Sequence, residues 1–391
     1  MRIAIVGSGK MGGSIFRALL HRSHDLVLCG TSAERVGEEQ KKVKRSLRRS
    51  VRRGELTDED AQARLGRLCF TSHLQQAAGA DLVVEAVPEA MELKMRIFRD
   101  LESIVSPECL LTTNTSCLSI GQMAGHLRLP HRFCGLHFFH PVMLIPLVEI
   151  ITASGTSPDV VQSLETFCRD LGKQPVTVRD APGSAINRVL AHYYLEALYM
   201  LEEGVALPSR IDAVARRHCY LGPCESLDAL GLDFFASALE ISASGGPGAD
   251  GGNSDAHGLR APRLLPMLLA RNRLGKRTCR GVYVYDGDRA LDDEPDVYAQ
   301  PGDAAAGEAT SEEIEKRLIY AVCCGALHMI DRSVATREAL DAGVRDVLLM
   351  KQGPFTLMGQ LGAQAVRAEL EQLADRLGPR FAQSMVLEHV M

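Results

Sequence analysis

Paired cysteines, a surplus of one charge and a long apolar run are all missing from this sequence, and each absence removes a class of protein. The eleven cysteines are scattered, with no CxxC pair and no regular spacing; only Cys323 and Cys324 are neighbours. That pattern offers neither a zinc-ligand set nor a disulfide framework, and it suits a reducing cytoplasm. Lys and Arg total 44 against 49 Asp and Glu, a net charge of -5. Neither nucleic acid nor a membrane surface is therefore the expected partner. The opening MRIAIVGSGKMGG breaks at glycine after six residues, too short for a secretion signal or a membrane span. A globular cytoplasmic protein is expected, and 391 residues imply two or three domains rather than one core.

What is present is a run of alternating strand and helix signals. RIAIV (2–6), DLVLCG (25–30) and DLVVEAV (81–87) read as buried parallel strands. GSGKMGGSIFRALLHR reads as a glycine turn entering a helix, 33–66 as polar and helix-favouring, and MELKMRIFRDLESIV (91–105) as a helix. LLTTNTS, RFCGLHFF and LVEIITA add further strand signals. The pattern predicts an α/β Rossmann, doubly wound domain over the first 180 or so residues.

After DAPGSAINR (180–188) strand signals nearly vanish and apolar residues recur at helical spacing. A loop is expected over 245–255 and a Gly/Pro/Asp-rich linker over 285–309. NRVLAHYYLEALYMLEEGVALPSRID (187–212) aligns with KRLIYAVCCGALHMIDRSVATREALD (316–341), and LGPCESLDALG (221–231) with QGPFTLMGQLG (352–362). The chain is thus expected to divide into a Rossmann domain (1–183) and two related helical copies (184–287 and 308–391).

Gly7, Gly9 and Gly12 form GxGxxG straight after the first strand. The first allows the tight turn, the second lets backbone approach a pyrophosphate, and the third lets helix and strand pack closely. The second strand should end in an acidic residue that reads the ribose of NAD. Gly30 stands there instead, followed by Thr31, Ser32 and Arg35. No carboxylate repels a 2′-phosphate at this turn, and two hydroxyls and a guanidinium are at hand, so the reading is NAD or NADP with a lean to NADP. The alternative is that Thr31, Ser32 and Arg35 only cap the next helix.

HRFCGLHFFHPVMLIPLVEI (131–150) sets His137 and Glu149 in apolar runs twelve residues apart. Such groups seldom lie buried without partners. A metal centre built from His131, Cys134, His137 and His140 fails on reach. Along an extended strand His131 and His137 stand roughly 20 Å apart, and Cys134 faces away from His137. No metal is expected.

VVEAVPEAMELKMRIF, TTNTSCLSI, FCGLHFFHPVMLIPLVEII, LGKQPV and DAPGSAINRVL resemble the L-3-hydroxyacyl-CoA dehydrogenases. The likeness is nearest to the dehydrogenase portion of bacterial multifunctional fatty-oxidation enzymes, which carries two helical C-terminal repeats. The resemblance implies a catalytic base at His137, a partner carboxylate at Glu149, and Ser116 and Asn187 on the reacting oxygen. It further implies cofactor contacts at Met11, Glu89, Lys94 and Ser116. Two strands joined by the HPVMLIP turn could set His137 beside Glu149, where a carboxylate fixes the imidazole tautomer for proton transfer.

Three positions depart from the family pattern. Gly30 replaces the ribose-reading aspartate, His140 the asparagine that helps hold the nicotinamide end, and Ser184 a bulky apolar residue beside the acyl pocket. The block Lys41–Arg53 holds eight Lys or Arg in thirteen residues. It reads either as a cationic surface for coenzyme A phosphates or an acidic acyl carrier protein, or as a solvated helix face. The expected partners are an acyl-CoA or acyl-carrier-protein thioester and a second copy of the chain in a homodimer. The leading expectation is an oxidoreductase of 3-hydroxyacyl thioesters. Its rivals are a specialised-metabolism relative acting on a carrier-bound or short polar group, and a dinucleotide-binding protein without catalysis. The absence of a hydratase motif speaks against a complete multifunctional enzyme.

Overall fold

The computed structural model describes residues 1–181, 183–243, 259–292, 297–298 and 309–382. They belong to two compact units, Met1–Asp180 and Ala181–Met391. The first unit begins β1 (Arg2–Val6), α1 (Lys10–Leu19), β2 (Asp25–Cys29), α2 (Ala33–Arg52), α3 (Asp58–Leu65) and β3 (Leu68–Thr71). It continues β4 (Leu82–Glu85), α4 (Met91–Glu102), β5 (Leu110–Thr113), α5 (Ile120–Ala124), β6 (Phe133–Phe138), β7 (Leu147–Thr152), α6 (Pro158–Asp170) and β8 (Gln174–Arg179).

These strands form one sheet in the order β3-β2-β1-β4-β5-β6-β7-β8. The first six run parallel, β7 runs antiparallel to β6, and β8 follows β7 in parallel. The chain winds from β1 out to β3 and then crosses to β4 on the other side of β1. That reversal opens a crevice at the carboxyl ends of β1 and β4, where doubly wound sheets bind ligands. Strand alternation then sorts the side chains. Ile3, Ile5, Leu28, Val84, Leu136, Phe138, Val148 and Ile150 share an aliphatic layer with Ile15, Phe16 and Leu19 of α1 and Leu164 of α6. On the opposite face, Phe133 meets Phe98 of α4 edge-on, ring centroids 4.9 Å apart.

β3 and β8 have no counterpart in the sequence reading. Both are edge strands; β3 is only four residues long and half-buried throughout, and β8 is mixed and includes Pro175, which an edge tolerates. The polar stretch over 33–66 is a helical hairpin. In α2, Val36, Glu39, Val43 and Leu47 are buried at helical spacing, while Lys41, Lys44, Arg45, Arg48, Arg49 and Arg52 are exposed.

The second unit runs α7 (Ala185–Glu202), α8 (Pro208–Ala215), α9 (Pro223–Leu230), α10 (Leu232–Ala243) and α11 (Leu264–Ala270). A short antiparallel hairpin follows, β9 (Val284–Asp286) with β10 (Arg289–Leu291). It ends α12 (Ser311–Asp331), α13 (Arg337–Leu348), α14 (Pro354–Leu361) and α15 (Ala363–Leu377). The hairpin occupies the start of the stretch expected as linker; residues 293–296 and 299–308 of that stretch, and the loop over 245–255, lie outside the described residues.

The two aligned segments start their Gly-Pro helices in the same way. Asp212 of α8 accepts hydrogen bonds from Cys224 N (2.9 Å) and Glu225 N (3.0 Å) at the start of α9. Asp341 of α13 accepts from Phe355 N (2.6 Å) and Thr356 N (3.0 Å) at the start of α14. Gly222 and Gly353 leave the room this requires: a Cβ at either would lie within 2.5 Å of the aspartate side chain. Each carboxylate thus satisfies amide groups that a helix start leaves unpaired.

Candidate active site

Gly7 closes β1 at φ +123°, and a Cβ there would lie 2.4 Å from the Ala86 carbonyl oxygen in the loop after β4. A Cβ on Gly12 would fall 1.8 Å from the Gly7 carbonyl oxygen. These two glycines are demanded by packing. Gly9 differs, since nothing lies within 4 Å of where its Cβ would be. It stands at the N-cap of α1 without a side-chain cap, so no side chain at the cap occupies the first amide groups of α1. A close-packed turn with uncapped amides at a helix start fits a dinucleotide pyrophosphate. Met11, in the first turn of α1, is half-buried against the aliphatic layer.

At the end of β2, a Cβ on Gly30 would meet Ser8 Oγ at 2.4 Å and Val36 Cγ2 at 2.7 Å. The Ser8 side chain thus crowds the point where any side chain at position 30 would begin. Ser32 is the N-cap of α2, its Oγ accepting from Arg35 N at 3.3 Å, as the capping alternative requires. Thr31 and the Arg35 side chain are exposed.

Across the crevice, β4 ends in Glu85, which is wholly buried. Lys94 Nζ donates to Glu85 Oε1 at 2.8 Å and Oε2 at 3.1 Å, and to the Val87 carbonyl at 3.3 Å. Thr113 Oγ1 donates to Glu85 Oε2 at 2.6 Å. Burial raises the Glu85 carboxyl despite the Lys94 charge. Lys94 also lies 3.4 Å from Glu89 Oε2. Glu89 Oε1 in turn accepts from Ser116 N (2.8 Å), Cys117 N (3.0 Å) and the Thr115 hydroxyl. Burial works to raise Glu89, but the Lys94 charge and these bonds outweigh it and hold the carboxyl below its ordinary value. Glu89 is thus a carboxylate that clamps the 115–117 turn, and Lys94, 1% exposed, is held between Glu85 and Glu89.

That turn carries Ser116 to the end of β6. In the antiparallel β6–β7 ladder His137 stands directly opposite Glu149, on the face away from Leu136, Phe138, Val148 and Ile150. His137 Nδ1 bonds Glu149 Oε2 at 2.8 Å, and His137 Nε2 lies 3.1 Å from Ser116 Oγ. The imidazole is 3% exposed and the carboxylate 0%. Phe139 packs on the imidazole, with ring centroids 4.5 Å apart. A proton on Nδ1 shared with Glu149 leaves the Nε2 lone pair facing Ser116, the tautomer that a general base needs.

His140 follows this strand and is exposed. Partial burial, together with the charges of Lys10 and Arg17, lowers its pKa, so at neutral pH it is an uncharged imidazole near α1. Asn187 lies in the first turn of α7, half-buried, in the second unit. Ser184, read from the sequence as acyl-pocket wall, is the N-cap of α7, and its Oγ accepts from Asn187 N at 3.2 Å.

Three residues of this neighbourhood escaped the sequence reading. Glu85 holds Lys94, Thr113 donates to Glu85, and Asn114 Oδ1 accepts from Phe138 N at 2.8 Å, tying the 114–117 turn to β6. Glu85 left a usable signal, a carboxylate ending an apolar strand beside the glycine loop. Thr113 and Asn114 left none. Among the described residues, no helix is long and apolar enough to cross a membrane.

With this geometry in hand, the likenesses to known proteins agree with one another. Residues 2–181 match the profile of the 3-hydroxyacyl-CoA dehydrogenase NAD binding domain. Residues 183–285 and 314–391 match that of the 3-hydroxyacyl-CoA dehydrogenase C-terminal domain. The chain is 35% identical over 295 residues to the 3-hydroxyadipyl-CoA dehydrogenase of Escherichia coli, covering 73% of this chain and 59% of that protein. It is 32% identical over 292 residues to the 3-hydroxybutyryl-CoA dehydrogenase of Bradyrhizobium diazoefficiens, covering 74% of this chain and 97% of that one. The crystal structure of 3-hydroxybutyryl-CoA dehydrogenase from Escherichia coli K12 superposes with a TM-score of 0.85 at 26% identity, covering 100% of this chain and 98% of that one. By sequence profile and by fold, the chain belongs to the 3-hydroxyacyl-CoA dehydrogenase family.

Proposed function

We propose that this chain interconverts 3-hydroxyacyl and 3-oxoacyl thioesters of coenzyme A with an NAD(P) cofactor in the cytoplasm. The observation that carries the reading is the buried Glu149–His137 pair at the end of β6, with Ser116 half-buried beside it. When bound, the nicotinamide supplies the hydride acceptor, or the donor in the reverse direction. His137 Nε2 takes the proton of the C3 hydroxyl as the hydride leaves that carbon, and returns it in the reduction. Glu149 fixes the tautomer and stabilises the imidazolium. Ser116 holds the reacting oxygen as its charge develops, a role that the family resemblance also gives to Asn187. Gly7, Gly9, Met11 and Gly12 cradle the dinucleotide, and Glu89, Lys94 and His140 line its nicotinamide end.

The cofactor reading leans to NADP. It rests on Gly30, where the Ser8 side chain crowds any added side chain, and on the hydroxyls of Thr31 and Ser32 and the exposed Arg35 beside that turn. Separate titrations with NADH and NADPH test it; a clear preference for NADH overturns it. A second reading, an acyl-carrier-protein thioester as substrate, draws on the exposed cations of α2. Turnover of 3-hydroxybutyryl-CoA set against the matching carrier-protein thioester separates the two. The main test is His137→Ala. Turnover should fall about 10²–10⁴-fold while cofactor binding persists. Turnover left intact would instead favour a dinucleotide-binding protein in which His137 has no chemical part.

A further inference from the structure

The helical unit holds a second cluster of reactive side chains. α7 and α12 pack against each other. Where they cross, His192 of α7 meets Cys324 and His328 of α12. Cys324 and His328 are four residues apart and so share one helix face. Gly325 permits the close approach: a Cβ there would lie 2.8 Å from His192 Cδ2 and 3.0 Å from the Val189 Cα.

The three side chains are 5%, 1% and 6% exposed. One ligand-type atom from each lies within 4.8 Å of the other two. Cys324 Sγ is 3.9 Å from His328 Nε2, and the two imidazole centroids are 5.3 Å apart. Bonds of about 2.0–2.3 Å in a tetrahedral zinc centre set neighbouring ligand atoms about 3.3–3.6 Å apart. The cluster must therefore close by up to roughly 1.5 Å to hold zinc.

We propose that His192, Cys324 and His328 form a structural zinc site that ties α7 to α12. The donor set favours zinc over calcium or magnesium, which take oxygen ligands. Backbone carbonyls complete the surroundings: Ala382 O lies 3.5 Å and Arg380 O 3.7 Å from Cys324 Sγ. One of them, or a water, can take the fourth position. Zinc binds the thiolate, so binding releases the Cys324 proton and affinity should fall as pH falls. The sequence gives no spacing signature for this site, because the ligands come from two separate helices.

The test uses the full chain, purified without chelator. Mass spectrometry should find one zinc per chain. Metal-free protein titrated with cobalt(II) should develop thiolate-to-cobalt absorbance saturating at one equivalent, bleached by zinc. Cys324→Ser should lose the absorbance and bind zinc about 100-fold more weakly or worse, while Cys323→Ser should behave as wild type. Wild-type protein that carries no zinc and gives no absorbance overturns the proposal, whatever the variants do. So does full zinc affinity in a folded Cys324→Ser, or stoichiometric copper in place of zinc.

Discussion

A hydrogen bond from Nδ1 to a buried carboxylate decides which nitrogen of an imidazole is left to accept a proton. In His137 that bond goes to Glu149, and the side chains around the pair leave it no competing partner from bulk water. Glu149→Gln retains the shape but removes the charge that steadies an imidazolium, and an amide no longer enforces the tautomer. We expect kcat to drop about 10²–10⁴-fold with the dissociation constant for cofactor unchanged. Steady-state kinetics beside a fluorescence titration check both. Undiminished kcat would remove Glu149 from the proton path. This pair was legible in the sequence because two strands and a turn separate its members, and strand register then sets them opposite each other. Lys94 with Glu85 was not legible as a pair, because their meeting depends on how α4 folds back over the end of β4. Ser184 has a further part that the sequence did not signal: its Oγ caps α7, a task compatible with a place in the wall of an acyl pocket.

Elements were read where their apolar pattern was unbroken. β1, β2 and β4 are buried on both faces and announce themselves as continuous runs, whereas β3 and β8 at the sheet edges are half wet and mixed. The helix starts at α9 and α14 were marked by Gly-Pro, but not the aspartates that hold them. Asp212 carries a consequence for pH. Burial raises its carboxyl to about 6 from 3.8, against the bonds it accepts from Cys224, Glu225 and Tyr283. The folded chain then binds this proton more tightly than the unfolded chain. Its contribution is complete below pH 3.8 and is lost as pH rises through about 6, about 3 kcal/mol in all. Urea unfolding of wild type against Asp212→Asn from pH 4 to 7.5 should show the wild-type advantage shrinking with rising pH. An advantage that grows over the same range would show that the carboxylate is the form the folded state prefers.

Across the molecule, fold class was the most legible property and assembly the least. The loss of strand signals after residues 180–188 lies close to the boundary between the two units at Asp180 and Ala181. Association leaves no comparable periodicity. We expect a homodimer, motivated by the exposed Tyr220, Leu221, Leu230 and Phe234 of the helical unit. Light scattering should then return twice the 42.5 kDa of one chain; a monomer at micromolar concentration would refute it. The reversal of direction between β6 and β7 has a consequence of its own. The acid and the base occupy facing rungs of one ladder, so their separation is set by main-chain pairing and not by any hinge. Extra residues in the turn 139–146 should leave the pair in place. One residue added between 147 and 149 would swing the carboxylate through the sheet, into the layer where Val148 and Ile150 now sit.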